Sequence, residues 1–417
     1  MAGLGTLEPL DDDFAVKSNA HSLTHLSSPS DLTVDFIQGL ASQIQLLACL
    51  KWLGEFQVLT LVPLHGSILT AEAAEIAGVP VEQLSRVVRL VATSGFLHEP
   101  QPDRIAHTKL SSAFVSTFSF LDAVMFLAES AVPTALQMTT ATHRAYQHPD
   151  LPAETAYSIA MNTSQSFESA CDDQPRLQRQ WCAYRHYASC SHDSFIDILR
   201  GLNWRSLGSA TVVDVSVYAS AERCFYLTVT FTQVAAHSTE VAVAIADVAP
   251  AIHIVVQLIQ PAAIHNKTTS LVDEARRDIN DRIEIHKKIS VGVQLVTDAS
   301  IYILRLEMTS SMRSVLLAEL TAHLGLLRAN PAATLIVAPP LLLEPGIAGS
   351  NMEAQGRLRD LYYYQLTGEY ELELNELIRM IKSTHDKHGR LVVINQLRCG
   401  SGATGAVSVK YEFSPPN

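Results

Sequence analysis

The sequence predicts an α/β protein whose first half is helical and whose second half is built on a mostly parallel sheet with an antiparallel edge. Three observations predict it. Apolar residues recur at helical spacing from Leu32 to about residue 200. From Ala210 the pattern changes to short β-branched runs, "TVVDVS", "AIHIVVQL", "RIEIHKK", "ASIYILRL" and "ATLIVAPPLLL", with helical stretches between several of them. The last two runs, "RLVVINQL" and "AVSVKYEF", follow each other without a helix, as an antiparallel pair does.

Residues 1–31 read as a loose polar lead, with Asp11, Asp12 and Asp13 and no apolar signal core. Residues 32–200 form the helical unit. In "DFIQGLASQIQLLACLKWLGEF" Phe36, Leu40, Ile44, Leu47 and Cys49 fall near one face. In "SILTAEAAEIAGVPVEQLSRVVRLVATSG" Thr70 is placed to cap a short helix, Gly78 to end it, and Val81 to Ser94 to form a second. "FLHEPQPDRIAHT" then reads as a two-stranded wing around a Pro-Asp turn, which completes a winged-helix pattern. Its recognition helix offers only Arg86 and Arg89, so packing or dimerisation is expected of it and not DNA binding.

Residues 201–417 form the sheet unit, with a helix from Met312 to Leu327. Ligands of such sheets bind at the carboxyl ends of the strands, where the sequence places Asp214. After it a cofactor site would show a glycine-rich turn, because only glycine lets backbone approach a ligand closely at positive φ. The chain instead reads Ser216, Val217, Tyr218, Ala219, Ser220.

A net charge of −12 with no basic run argues against a nucleic-acid binder, which needs Lys and Arg to neutralise phosphates. The six cysteines are scattered, with no metal-ligand spacing, and read as reduced thiols of a cytoplasmic protein. No stretch approaches the ~20 uninterrupted apolar residues of a membrane span.

With these motifs in order, the chain resembles the fungal S-adenosylmethionine-dependent O-methyltransferases, of the class I methyltransferase fold, over residues 30–412. The likeness rests on the winged-helix stretch together with "NWRSLGSATVVDV", "IHIVVQL", "IYILRL", "LLLEPG" and "LRDLYYYQLTGEYELELNEL". It implies a helical dimerisation domain, hence a homodimer through the N-terminal helices, and a Rossmann-like catalytic domain. It also implies a cofactor, and there the chain departs from the family. "DVSVYAS" replaces the glycine loop, Leu258 stands where an acid binds the ribose, and Lys287 and Lys288 stand where a further acid lies near the adenine. In "RLEMTSS" Arg305 matches the family motif, while Thr309 and Ser310 occupy the places of its His-Asp pair. Neutral Thr cannot take the proton that the family's His removes. Residues 217–234 are longer than the family's loop.

Asp214 is thus the one matching cofactor position, no cofactor is expected to be required, and no metal is implied. Some relatives of these methyltransferases are pericyclases, which cyclise polyketide or polyketide-peptide intermediates. Resemblance to them implies a cofactor-independent cyclase of secondary metabolism that folds a small hydrophobic substrate into a reactive conformer. Met161, Phe167, Met308, Glu344, Tyr363 and Tyr364 would line its pocket. Arg305, Thr309, Lys287, Lys288 and His186 would donate hydrogen bonds or protons. Two other readings stand beside it: a methyltransferase with divergent contacts, and a non-catalytic partner of a biosynthetic enzyme. Each pocket residue has core packing as its ordinary alternative, and Arg305 a structural ion pair.

Overall fold

A computed structural model describes residues 29–150, 154–188, 191–217, 241–259, 282–288, 290–292, 294–306, 308–309, 311–347, 349–400 and 402–414. The N-terminal lead before residue 29 and residues 218–234 of the long loop lie outside them.

The first half is helical. Pro29–Glu55 leads into the winged helix, in which Thr70–Ala77 and Val81–Thr93 pack around Leu53, Leu84, Val88 and Ile105. Gly78 ends the first of these helices at φ 67°, its N–H donating to the carbonyls of Ala74 and Glu75. Thr70 does not cap it. Leu69 takes that position, and Thr70 is the first helical residue, buried with its hydroxyl unpartnered. The wing strands β2 (Leu97–His98) and β3 (Arg104–His107) pair as expected, and β1 (Ile68–Leu69) adds a third strand on the free side of β3. Asp103 turns the wing at φ 59°, a left-handed conformation that Asp tolerates better than most side chains.

Phe118–Gln147 is long and apolar enough in composition to cross a membrane. It is interrupted by a π-turn over Leu127–Ala131 just ahead of Pro133, whose ring nitrogen cannot donate to the preceding turn. It also carries Asp122 and Glu129, which accept from Arg179 and Gln180 of Pro175–Ala188 at 2.9 Å each. The two helices are thereby joined as core helices of one bundle.

The second half holds an eight-stranded sheet in the order β11-β12-β13-β8-β7-β4-β5-β6. The five strands β4 (Thr211–Val217), β5 (His253–Ile259), β6 (Ile283–Lys288), β7 (Ile301–Leu306) and β8 (Thr334–Ala338) run parallel. β9 (Leu341–Leu342) and β10 (Leu372–Glu373) pair apart from it. β11 (His385–Asp386), β12 (Gly389–Arg398) and β13 (Thr404–Phe413) form the antiparallel edge. Pro339 and Pro340 end β8, so "ATLIVAPPLLL" is two strands and not one.

Both faces are covered, which is why the parallel strands are apolar on both sides. Met312–Ala329 and Leu374–Ser383 cover Val213, Val215, Tyr302 and Leu304. Ser191–Arg200 and the helix over 241–248 cover Val212, Ile254, Val256 and Ile303. Ser350–Thr367 returns to the helical half, where its Leu366 and Tyr362 join Phe126, Tyr157 and Phe167.

Candidate functional site

The crevice at the carboxyl ends of β4, β5 and β7 is where such a sheet holds a ligand. Asp214 is the fourth of the seven residues of β4, paired with Val256 and Ile303, and the strand continues through Ser216 and Val217. The sequence run "TVVDVS" ends at Ser216, and the strand continues one β-branched residue further, to Val217.

Arg305 pairs with Ser216 across β4 and β7, two residues beyond Ile303, so it projects on the same face as Asp214. Its Nε and Nη2 donate to the two carboxylate oxygens of Asp214 at 2.9 and 2.8 Å. Asp214 is 0% exposed and Arg305 7%. A bidentate pair of this kind satisfies two charges that could not be buried singly. Two of the Arg305 donors are therefore committed to a structural partner.

These residues do not fit S-adenosylmethionine as the O-methyltransferase likeness would place it. Among the described residues both oxygens of Asp214 accept from Arg305, and strand continues through Ser216 and Val217, where the likeness would place the first glycines of the turn. Leu258 lies in β5, between Ser216 and Lys287 in register. The side chains of Leu258, Lys287 and Lys288 lie outside the described residues.

A second buried polar chain runs on the other face and was not foreseen from the sequence. Gln257 of β5 donates through Nε2 to Gln294 Oε1 at 2.6 Å, and Val296 N donates to the same oxygen at 3.0 Å. Gln294 Nε2 stands 3.3 Å from His323 Nε2, and His323 Nδ1 is 2.7 Å from the carbonyl oxygen of Glu319. This arrangement suits a neutral His323 that donates from Nδ1 and accepts at Nε2. The Glu319 carboxylate accepts from Gly292 N at 2.8 Å, where Gly292 has φ 81°. The chain fastens the segment after β6 to the helix Met312–Ala329. The only sequence signal for it was polar side chains at core-facing positions.

The remaining predicted site residues divide. Phe167 is 2% exposed, with Tyr157, Trp181 and Phe126 rings at 5.2, 5.2 and 6.3 Å. It is a core residue of the helical half, and Met161 packs on the same cluster. Met308 packs half-buried beneath the sheet. Thr309 Oγ1 lies 3.3 Å from Ser311 Oγ, and Ser310 lies outside the described residues.

Tyr363 is buried, and its hydroxyl has no close hydrogen-bond partner among the described residues. Burial first, and then the charge of Glu168, push its phenol well above the usual range. Burial does the same to Tyr184, whose ring meets Tyr362 at 6.1 Å. Glu344 has one buried carboxylate oxygen, Oε2, without a partner. Tyr364 is 51% exposed, because adjacent residues of a helix differ by about 100° in direction and only Tyr363 can face inward. His186 is also exposed, with its ring against Tyr187 at 4.9 Å. Among the described residues no cluster of His, Cys, Asp and Glu could hold a metal ion.

Comparison with known proteins places this geometry. No family model matches the chain. Among solved structures it resembles the mitomycin 7-O-methyltransferase MmcR, with TM-score 0.62 and 17% identity over 92% of this chain and 99% of that one. It also resembles a riboflavin-derivative dimethyltransferase, RosA, from Streptomyces davawensis, with TM-score 0.63 and 13% identity over 92% and 99%. At such identities the likeness concerns the fold.

Sequence relatives are much nearer. A transcriptional coactivator of Pseudocercospora fijiensis is 48% identical over 91% of this chain and 99% of its own length. The cladofulvin cluster transcriptional coactivator claA of Passalora fulva is 38% identical over 99% and 96%. The monodictyphenone cluster transcriptional coactivator mdpA of Emericella nidulans is 37% identical over 93% and 85%. The chain therefore belongs to the family of these fungal proteins, named as transcriptional coactivators, several of them of secondary-metabolite clusters, and it has the fold of the O-methyltransferases.

Proposed function

We propose that this protein is a transcriptional coactivator of a secondary-metabolite gene cluster that uses an O-methyltransferase scaffold as a protein-binding body, without methyl transfer. The observation that carries the reading is the Asp214–Arg305 pair. It commits the one matching cofactor acid to an internal partner, in a chain whose relatives are named for transcription. The loss of the His-Asp pair at Thr309 and Ser310 supports it from the catalytic side. A coactivator works at promoters, so this reading puts the protein in the nucleus and not in the cytoplasm. It also includes a two-fold homodimer, in which the apolar residues exposed along Pro29–Glu55 are covered by a second copy.

The test is transcript measurement across the biosynthetic genes that neighbour its own gene, in a strain lacking it. The coactivator reading expects those transcripts to fall, and to recover with wild-type protein and with an Asp214→Asn variant that still folds. Unchanged transcripts in the deletion strain would overturn it.

A second reading, a cofactor-independent cyclase acting on a polyketide or polyketide-peptide intermediate, is favoured by one observation. The Tyr363 hydroxyl and Glu344 Oε2 are buried without partners, a condition that a bound ligand relieves. Under it, Tyr363→Phe or Met308→Ala changes the product ratio that purified protein gives on a metabolite extract, since competing cyclisations differ by little energy. An extract left unaltered by the purified protein removes this reading.

A further inference from the structure

The antiparallel side of the eight-stranded sheet ends on β12, and most of that strand has one neighbour. β11 pairs only with Gly389 and Arg390, and beyond it the Leu391 amide donates to the Thr384 carbonyl at 3.0 Å. Over residues 392–398 β12 is held by β13 on one side, and among the described residues no strand adjoins the other. Successive residues of an antiparallel strand direct their N–H and C=O groups to opposite sides. Since Leu391 donates away from β13, Val393 does so too, and its amide faces the open edge. The edge lacks the usual guards against pairing: "LVVINQL", residues 391–397, carries no proline and no charge. Within it Ile394 is unopposed, because the register passes from Val393 opposite Val409 to Asn395 opposite Ser408, and Ile394 is 53% exposed. Such a bulge bends the strand, so the edge suits a short added strand and resists open-ended stacking.

The charges on the same hairpin select the occupant. Residues 385–398 carry Lys387, Arg390 and Arg398 against one acid, Asp386, in a chain of net charge −12. Asp386 is committed to Tyr411, Arg328 and two amides. Arg390 shares an exposed ion pair with Glu412, of the readily exchanged surface kind. Arg398 donates to Gln396 Oε1 and to the Gly402 carbonyl, and neither it nor Lys387 pairs with a carboxylate among the described residues. Antiparallel pairing of two copies about Ile394 would set Arg390 of each opposite Arg398 of the other, like charge against like, so a second copy is a poor occupant.

We propose that the open edge of β12 takes up a short, extended, acidic segment of a partner protein as an added strand. Backbone hydrogen bonds along the edge, the Val393 amide among the donors, would supply affinity. Carboxylates of the segment would meet Lys387, Arg390 and Arg398 and set the association rate and its salt dependence. The biological meaning rests on the coactivator reading, for which this edge is the partner surface.

The experiment is fluorescence anisotropy with the full chain and a labelled peptide of about eight residues that alternates valine or threonine with glutamate. Expected is saturable binding that weakens by about tenfold or more when the backbone nitrogens of the peptide are methylated, which removes its strand donors and keeps every charge. Lys387→Glu/Arg398→Glu should weaken it by about tenfold as well, and a control reversal of two other exposed cations, Arg144→Glu/Arg200→Glu, should leave it near wild type. Binding that survives methylation, or equal loss in the two double variants, would show attraction to charge alone and overturn the proposal. Displacement of the peptide by duplex DNA would assign the cations to phosphates and overturn it too. Absent peptide binding together with falling cluster transcripts in the deletion strain removes this surface alone. Peptide binding with unchanged transcripts removes the coactivator reading alone.

Discussion

Arg305 and Asp214 are 91 residues apart in sequence and share two hydrogen bonds at 2.8–2.9 Å between adjacent parallel strands, both side chains buried. The pair holds β4 to β7 at the level where a methyltransferase opens its sheet to a cofactor.

Because the pair is buried, removing one member is costlier than removing both. Arg305→Met leaves the carboxylate of Asp214 in an apolar setting and should cost about 3–5 kcal/mol in urea unfolding. The double variant Asp214→Leu/Arg305→Met should recover most of that loss. Equal destabilisation by the single and double variants would contradict the pairing.

Gly389 opens β12 opposite Phe413. A Cβ there would strike the Glu412 carbonyl and stand 2.8 Å from the Tyr411 ring, so the requirement is close approach and not an unusual φ. Gly389→Ala should destabilise the fold by about 1–3 kcal/mol, read as a lowered Tm. Gly39, on the exposed part of Pro29–Glu55, has no atom within 4 Å of such a Cβ, and Gly39→Ala should not lower the Tm.

How much of this was legible in sequence varies with the range of the interaction. Gly78 and the Pro-Asp wing act locally, and each falls where the sequence puts it. The strands of the sheet were legible because parallel strands covered on both faces are continuous apolar runs. Asp214 and Arg305 were each singled out, but their pairing depends on the β4–β7 register, which no local pattern records. The same holds for Gln257, Gln294 and the helix pair Glu319 and His323, brought together from three places in the chain. Phe167 and Tyr364 show the limit of pocket prediction from residue type. One is enclosed by rings and the other faces outward, for reasons of helix phase.

The edge hairpin carries a pH dependence. Asp386 accepts from the Tyr411 hydroxyl at 2.6 Å, from the His388 and Gly389 amides at 2.8 and 3.0 Å, and from Arg328 at 2.7 Å. The Tyr411 hydrogen bond first, with the amides and Arg328, holds this carboxylate at about 2, below its ordinary 3.8. The lowered value means its stabilisation is present above the ordinary value and is lost as pH falls toward about 2. The stability gap between wild type and Asp386→Asn should therefore narrow over that window. Burial and the same carboxylate raise Tyr411 to about 12, so its stabilisation holds below 10 and fades as pH rises toward about 12. Ultraviolet titration should show one fewer late-ionising tyrosine in Tyr411→Phe than in the wild type, where buried tyrosines such as Tyr184 and Tyr363 also ionise late.

Leu32, Phe36, Ile37, Leu40 and Ile44 are all between 47% and 68% exposed along Pro29–Glu55. A helix this bare gains little from packing on its own chain and needs a cover. Light scattering at micromolar concentration should give a dimer. Phe36→Asp/Ile44→Asp should give a monomer, and a monomeric wild type would remove the dimer.

Calorimetric titration of the full chain with S-adenosylmethionine, and with its demethylated product, asks directly whether the internal ion pair has closed the cofactor site. A protein that works without methyl transfer should give no saturable heat for either compound. Saturable binding at micromolar affinity would contradict that and return methyl transfer to consideration.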